Sequence, residues 1–137
     1  MKAGNVCWFE IPVIDLDRAI DFYSTILSAK IEKKLLLDKY YGIFDRNKHL
    51  ISGGLVVKED YLPGKSTILF FTVIDLSEVL KDTIEKGGKI VTPKTLMKQL
   101  SSKGDTIIAQ NMIDGNVGYF AEIIDSEGNH IGLYSHS

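Results

Sequence analysis

The chain has 137 residues, the length of one ordinary domain, and such a domain buries roughly two-thirds of its unfolded surface. Hydrophobic residues make up 45% and charged residues 25%, the net charge is −2 at pH 7, and the lysines are scattered along the chain. This composition is typical of a globular protein. It excludes the concentrated basic patch on which binding to nucleic acid or to a membrane surface depends.

The single cysteine, Cys7, rules out an intramolecular disulfide. It lies in an apolar stretch, where we expect a buried, unreactive thiol rather than a nucleophile. We see no basic segment followed by an apolar stretch at the N-terminus, so we expect no signal peptide. No apolar run approaches the ~20 residues of a membrane-spanning helix. The sequence therefore predicts a cytoplasmic protein.

In the first part of the chain, residues 6–13 are predicted to form a strand. Its alternation places Cys7, Phe9, Ile11 and Val13 on the face towards a helix, and Trp8, Glu10 and Pro12 on the other face. Asp15 is a good N-cap for the helix that follows, because its carboxylate can accept free backbone N–H groups of the first turn. Further strands are predicted at residues 31–37, 40–45 and 50–57.

The tetrapeptide Val-Ile-Asp-Leu occurs at residues 13–16 and again at residues 73–76. Each copy follows an apolar, strand-like run and opens an amphipathic, helix-like run, which indicates an internal duplication. The second copy has a strand at 67–73, a helix opened by Asp75 and Glu78 and ended by Gly87-Gly88, and strands at 90–92, 117–124 and 130–134. Each unit is therefore β-α-β-β-β, and a concave site between the units is the natural place for a ligand.

We predict one domain over residues 1–137, with a first module of about residues 1–60 and a second of about 61–137. The modules are joined by residues 58–66, which contain Pro63-Gly64. The second module is longer because of residues 94–117. This segment is predicted to be an extra hairpin turning at residues 101–105, a mobile flap, or an ordinary surface excursion.

Two stretches resemble the vicinal oxygen chelate superfamily, which includes glyoxalase I, bleomycin-resistance proteins, fosfomycin-resistance enzymes and extradiol dioxygenases. Residues 8–23 (WFEIPVIDLDRAIDFY) resemble its first strand and helix, and residues 125–133 (DSEGNHIGL) resemble its closing turn and last strand. The resemblance implies an α+β fold in which paired βαβββ modules form a curved mixed sheet, a cup, with the helices on its outer face. It also implies a homodimer.

In metal-dependent members of that superfamily, the cup face holds a divalent cation. The resemblance places the usual ligand positions at Trp8, Ile68 and Gly132. None of these side chains offers the oxygen or nitrogen donor that such cations need. We therefore expect no metal cofactor, and none of the glyoxalase, dioxygenase or fosfomycin-transferase chemistry in which a metal stabilises a chelated anion.

The cup face is predicted to carry an apolar, aromatic hollow suited to a small organic molecule. Its ligand-binding residues are expected to come from the first, fifth and last strands: Trp8, Glu10, Phe70, Thr72, His130 and Tyr134. Glu10 is the candidate catalytic residue, because burial would raise its pKa and suit it to proton transfer. The alternative is a structural carboxylate that accepts hydrogen bonds from a tyrosine or the backbone.

The leading hypothesis is a protein of this superfamily that binds a small organic molecule without the usual metal. One rival is a lyase or isomerase that uses Glu10 as acid or base. Another is a metal enzyme with shifted ligands at Glu10 and His130 and a third donor such as Glu122. A third is an interaction module whose cup is filled by its own side chains.

Overall fold

The computed structural model describes residues 6–45, 51–97 and 118–137. In these ranges the chain follows the order βαβββ twice, which confirms the predicted α+β modules. The elements are β1 (Trp8–Pro12), α1 (Leu16–Ile26), β2 (Ile31–Leu36), β3 (Lys39–Phe44), β4 (Ser52–Val56), β5 (Phe70–Thr72), α2 (Leu76–Glu85), β6 (Lys89–Leu96), β7 (Tyr119–Ile124) and β8 (His130–Ser135).

The eight strands form two four-stranded mixed sheets, ordered β1-β4-β3-β2 and β5-β8-β7-β6. In each sheet the first strand of the module pairs in parallel with the last, and the remaining pairs are antiparallel. The second sheet therefore repeats the topology of the first. The repeated tetrapeptide thus marks a repeated architecture.

Both helices begin where the repeated motif places them. The carboxylates of Asp15 and Asp75 accept hydrogen bonds from the backbone N–H groups of Arg18, at 3.0 Å, and Glu78, at 3.2 Å. These bonds satisfy donors that the first helical turn would otherwise leave free. After α2 the chain turns at Gly87, whose φ of +93° lies in the region that glycine adopts without strain.

The apolar core lies between the two helices and the helix-facing sides of the sheets. From α1 it takes Ala19, Phe22, Tyr23 and Ile26, and from α2 it takes Leu76, Val79 and Leu80. Phe9 of β1 and Phe71 of β5 meet with ring centroids 6.2 Å apart, so aromatic contacts connect the two modules. Ile84, which the helical pattern also predicts to be buried, is 59% exposed.

Some strand bounds differ from those predicted. β5 is shorter, because residues 58–69 form an irregular connecting segment broken by Pro63 and Gly64, whereas β6 continues to Leu96. Cys7 precedes β1 and is exposed, so the prediction of a buried thiol is wrong. The predicted hairpin or flap at residues 101–105 lies outside the described residues. Neither described helix is long and apolar enough to cross a membrane.

Candidate functional site

A cavity of about 410 Å³ opens beside β1. Its walls are residues 9–12 of β1, residues 60–62, 64, 66, 67 and 69 of the connecting segment, and residues 129–131 at the start of β8. Of the six residues predicted to bind a ligand, this cavity brings together Glu10 and His130. It therefore lies at the junction of the two modules.

Asn129 connects the three walls of the cavity through hydrogen bonds. Its Nδ2 donates a hydrogen bond of 2.7 Å to the carbonyl of Pro12, and its Oδ1 accepts one of 3.1 Å from the N–H of Gly64. The backbone N–H of His130 also donates to the carbonyl of Gly64, at 3.2 Å. The walls are thus positioned by hydrogen bonds that are already made within the protein.

Glu10 is held by neighbouring cations and donors. Its carboxylate accepts hydrogen bonds from Lys58 Nζ at 2.8 Å and from Trp8 Nε1 at 3.1 Å. Burial raises its pKa, but these two bonds, the charge of Lys58 and a bond from Tyr61 outweigh burial and lower the pKa below its ordinary value. The expectation of a raised pKa is therefore wrong, because it took account of desolvation and not of Lys58.

Lys58 connects β1 to the wall of the cavity. Its ammonium lies 4.8 Å from the ring centroid of Tyr61 and 5.9 Å from that of Tyr41, within range of cation–π attraction. The hydrogen bond to Glu10 raises the pKa of Lys58 above its ordinary value. The N–H of Tyr61 donates to the carbonyl of Lys58 at 3.1 Å. The Glu10–Lys58 pair therefore fixes this turn of the connecting segment against β1.

His130 is buried, with 5% of its surface exposed. Nε2 lies 2.7 Å from Oε1 of Glu122, although the contact lacks the alignment of a good hydrogen bond. Among the described residues, neither Nδ1 nor Nε2 has a hydrogen-bond partner, and neither atom has appreciable accessible surface. A buried polar atom without a partner is uncommon in a folded protein and calls for an explanation.

The shifted metal site predicted as a rival is not assembled in the described part of the chain. His130 and Glu122 are neighbours, but Glu10 is engaged by Lys58. No group of three or more His, Cys, Asp or Glu side chains is placed to hold a metal ion within residues 6–45, 51–97 and 118–137.

The other predicted ligand-binding residues lie away from the cavity lining. Trp8 is 39% exposed and donates to Glu10, while Tyr134 is 1% exposed. The ring of Phe70 packs over Gly132, where a Cβ would have no room, and Thr72 pairs with Tyr134 in the sheet. A role in binding stays a prediction for these four residues.

The sequence patterns missed the wall formed by the connecting segment, which contributes Asp60, Tyr61, Ser66 and Thr67. This stretch has no strand or helix periodicity, so nothing in it indicated a direction for any side chain. Its length between β4 and β5, without secondary structure, is the signal that could have pointed to a functional loop.

The turn that precedes β8 contains a second carboxylate, Glu127, whose side chain is fully buried. It accepts hydrogen bonds from the backbone N–H groups of Ile14 and Asp15 at 2.8 and 2.7 Å, and from Nε of Arg18 at 2.6 Å. Burial raises its pKa, but Arg18 and the two backbone donors outweigh burial and lower the pKa to about 2. Glu127 thus binds the second module to the start of α1.

Asp125 completes this joint. It accepts hydrogen bonds from the hydroxyl of Tyr23 at 2.5 Å and from the backbone N–H groups of Glu127 and Asn129, both at 2.8 Å. Burial, followed by the charge of Asp125, raises the pKa of Tyr23 well above its ordinary value. The closing turn is therefore structural, and it places Asn129 and His130 at the cavity.

No protein-family model matches the chain, and no curated protein is significantly similar to it. Solved structures do match over nearly the whole length. A member of the glyoxalase/bleomycin resistance protein/dioxygenase superfamily from Sphaerobacter thermophilus has 20% identity and a TM-score of 0.66, covering 96% of this chain and 97% of its own.

Two further structures share the fold. A glyoxalase/bleomycin resistance protein from Albidiferax ferrireducens has 16% identity and a TM-score of 0.63, with 93% of this chain and 96% of its own covered. An antibiotic binding protein from a Streptomyces species has 20% identity and a TM-score of 0.59, with 100% and 99% covered. The chain thus has the vicinal oxygen chelate fold of the glyoxalase/bleomycin resistance/dioxygenase superfamily, as its sequence motifs indicated.

Proposed function

We propose that this protein binds a small organic molecule in the cavity between β1, the connecting segment and the start of β8. The observation that carries the proposal is a pre-formed cavity of about 410 Å³ at the junction of the two modules, lined by apolar side chains and a few polar groups. This volume falls in the usual range for small-molecule sites.

The proposed binding uses no metal ion. Trp8, Ile68 and Gly132 stand at the positions that the resemblance assigns to metal ligands, and none has a donor atom suited to a divalent cation. The ring of Phe70 packs over Gly132 and fills the space beside it. These residues do not fit the family's metal, so binding is assigned to shape, apolar contact and a few polar groups.

Glu10 contributes to this site by fixing its wall. A carboxylate with a lowered pKa is a weaker base, so its ion pair with Lys58 favours positioning over proton transfer. The lyase or isomerase alternative with Glu10 as acid or base therefore has less support than binding. If a substrate is found, turnover by Glu10→Gln separates the two roles.

Sequestration of a compound is the activity that best suits a site of this kind. One protein with the same fold is described as an antibiotic binding protein, which supports binding of a small organic molecule as the proposed activity. We also propose a cytoplasmic homodimer, on the sequence features given above. Light scattering during size exclusion tests the dimer, and a monomer over the micromolar range would contradict it.

The proposal is tested by screening neutral aromatic and aliphatic fragments against isotope-labelled protein by NMR. Binding should shift the amide signals of residues 9–12, 60–69 and 129–131. Ser66→Trp places a bulky ring in the lining and should abolish these shifts. The matched control Lys65→Trp alters the next residue, which is exposed and does not line the cavity. Equal binding by both variants, or shifts only elsewhere, would contradict the proposal.

A further inference from the structure

We propose that residues 59–63 form a strap that closes over the mouth of the cavity when a ligand binds, with Leu62 as the residue that covers the ligand. This inference rests on the proposed binding function and adds a conformational step to it. It is carried by three features of the described residues: the way in which the strap is held at its ends, the exposure of Leu62, and the exposure of the ion pair at one end.

The strap lies between two points at which the connecting segment is attached to the rest of the protein. Before it, Nζ of Lys58 donates to Glu10 of β1 at 2.8 Å, and the N–H of Tyr61 closes a turn on the carbonyl of Lys58. After it, the N–H and the carbonyl of Gly64 are both hydrogen-bonded to the turn before β8. Residues 59–63 belong to no helix and to none of the eight strands. The strap can therefore move without breaking the hydrogen bonds of a sheet.

Leu62 has the position and the exposure of a covering residue. It lines the cavity, yet 77% of its surface is exposed. Its neighbour Tyr61 also lines the cavity and is 39% exposed. An apolar side chain at the mouth of a cavity gains free energy when it leaves water for contact with a ligand. A bound apolar molecule therefore favours a position of the strap in which Leu62 lies over it.

The two attachments differ in a way that permits this movement. The side chains of Lys58 and Glu10 are 30% and 17% exposed, so water reaches both and the ion pair can separate without leaving a fully buried charge. At the other end, a Cβ on Gly64 would meet no atom within 4 Å. A glycine in open space has the backbone freedom of a hinge. Gly64 is thus the pivot of the strap, and the Glu10–Lys58 pair is its releasable end.

Stopped-flow fluorescence with N-phenylnaphthylamine, an uncharged apolar dye, tests whether the strap closes. With protein in excess over dye, the observed rate should rise with protein concentration and then reach a plateau, because closure is a first-order step that follows binding. NMR shifts at residues 9–12 and 129–131 should place the dye in the cavity. Dye bound there with a rate that only rises in proportion to protein concentration would overturn the strap and leave the binding function intact.

A pair of leucine variants tests the role of Leu62. Leu62→Ala should raise the dissociation rate of the dye about tenfold, because the closed strap loses its apolar contact. The matched control Leu37→Ala truncates a leucine that is 92% exposed and does not line the cavity, and it should leave the rate unchanged. A change of less than about twofold in Leu62→Ala, or an equal change in both variants, would overturn the inference. Exclusion of the dye and of every fragment from the cavity would overturn the binding function itself, and the strap with it.

Discussion

Glu127 and Glu10 are two carboxylates at the junction of the modules, and their surroundings differ in a way that separates structure from function. Glu127 is fully buried, with two backbone donors and Arg18 around it. Glu10 is bound by Lys58 and Trp8, but it borders an open cavity. Both carboxylates have lowered pKa values. A lowered pKa alone therefore does not mark a functional residue.

The distinction lies in which polar groups have partners. Around Glu127 and Asp125 the buried donors and acceptors are paired within the protein, which makes the closing turn a rigid joint. Beside the cavity, the ring nitrogens of His130 have no hydrogen-bond partner in the described part of the chain. The paired cluster accounts for the fold, and the open cavity is the place for the proposed ligand.

Glu127→Gln should have the largest effect on stability. The neutral amide loses its attraction to Arg18 and turns an N–H group towards backbone donors, so the free energy of unfolding should fall by about 3 kcal/mol. Urea titration measures this change. Glu32→Gln, which removes an exposed carboxylate paired with Lys30 and Lys34, should cost less than about 0.5 kcal/mol. Equal losses of stability in Glu127→Gln and Glu32→Gln would show that the contacts of Glu127 stabilise the fold no more than an exposed ion pair does.

The same carboxylate predicts how stability depends on pH. Because folding lowers the pKa of Glu127 from 4.5 to about 2, its contribution is complete above the unfolded pKa and is lost as the pH falls through the folded value. Unfolding measured from pH 5 to pH 2 should therefore show a slope that Glu127→Gln reduces. An unchanged slope in the variant would assign acid sensitivity to other carboxylates.

Tyr23→Phe should have an intermediate effect. It removes the hydroxyl that donates to Asp125 Oδ2 and leaves that buried oxygen with one donor, Nδ2 of Asn129, instead of two, so the expected loss is about 1–2 kcal/mol. The control is Tyr40→Phe, at a tyrosine that is 56% exposed and should be neutral. Thermal and urea unfolding measure the stability of both variants. An unchanged free energy of unfolding in Tyr23→Phe would contradict a stabilising contact between α1 and the closing turn.

Glu10→Gln should change stability least, by under about 1 kcal/mol, because its partner Lys58 is partly exposed and can turn to solvent. Its effect should instead appear in the cavity wall. Hydrogen exchange at residues 58–62 should speed up, and the affinity of the cavity for the fragments found by NMR should fall. A loss of stability as large as that of Glu127→Gln would mean that Glu10 belongs to the structural joint.

The fold could be predicted because the duplication repeats strong local signals. Asp15 and Asp75 each cap a helix that follows an apolar strand, so the same strand-to-helix pattern occurs twice and each copy supports the assignment of the other. The closing turn was recognisable from its resemblance to the superfamily's motif. Its role was not, because the contacts of Glu127 with Ile14 and Arg18 span more than a hundred positions of sequence, and no local pattern reports such pairing.

The site could be predicted only in part. Strand alternation placed Glu10 and His130 on the predicted cup face, and both border the cavity, although their role in binding stays a prediction. It did not reveal Lys58, which reversed the expected pKa shift of Glu10, because the connecting segment has no periodicity. Tyr134 shares the predicted face but is 1% exposed, and Phe70 packs over Gly132 yet is 42% exposed; neither lines the cavity, since alternation gives the direction of a side chain and not what covers it.

The most direct test of ligand binding is a crystallographic screen in which crystals of the protein are soaked with small organic fragments. Bound fragments should give electron density in the cavity between β1, the connecting segment and the start of β8, beside Glu10 and Tyr61. Fragments that collect only on other surfaces, while this cavity holds nothing but solvent, would contradict the assignment of the site.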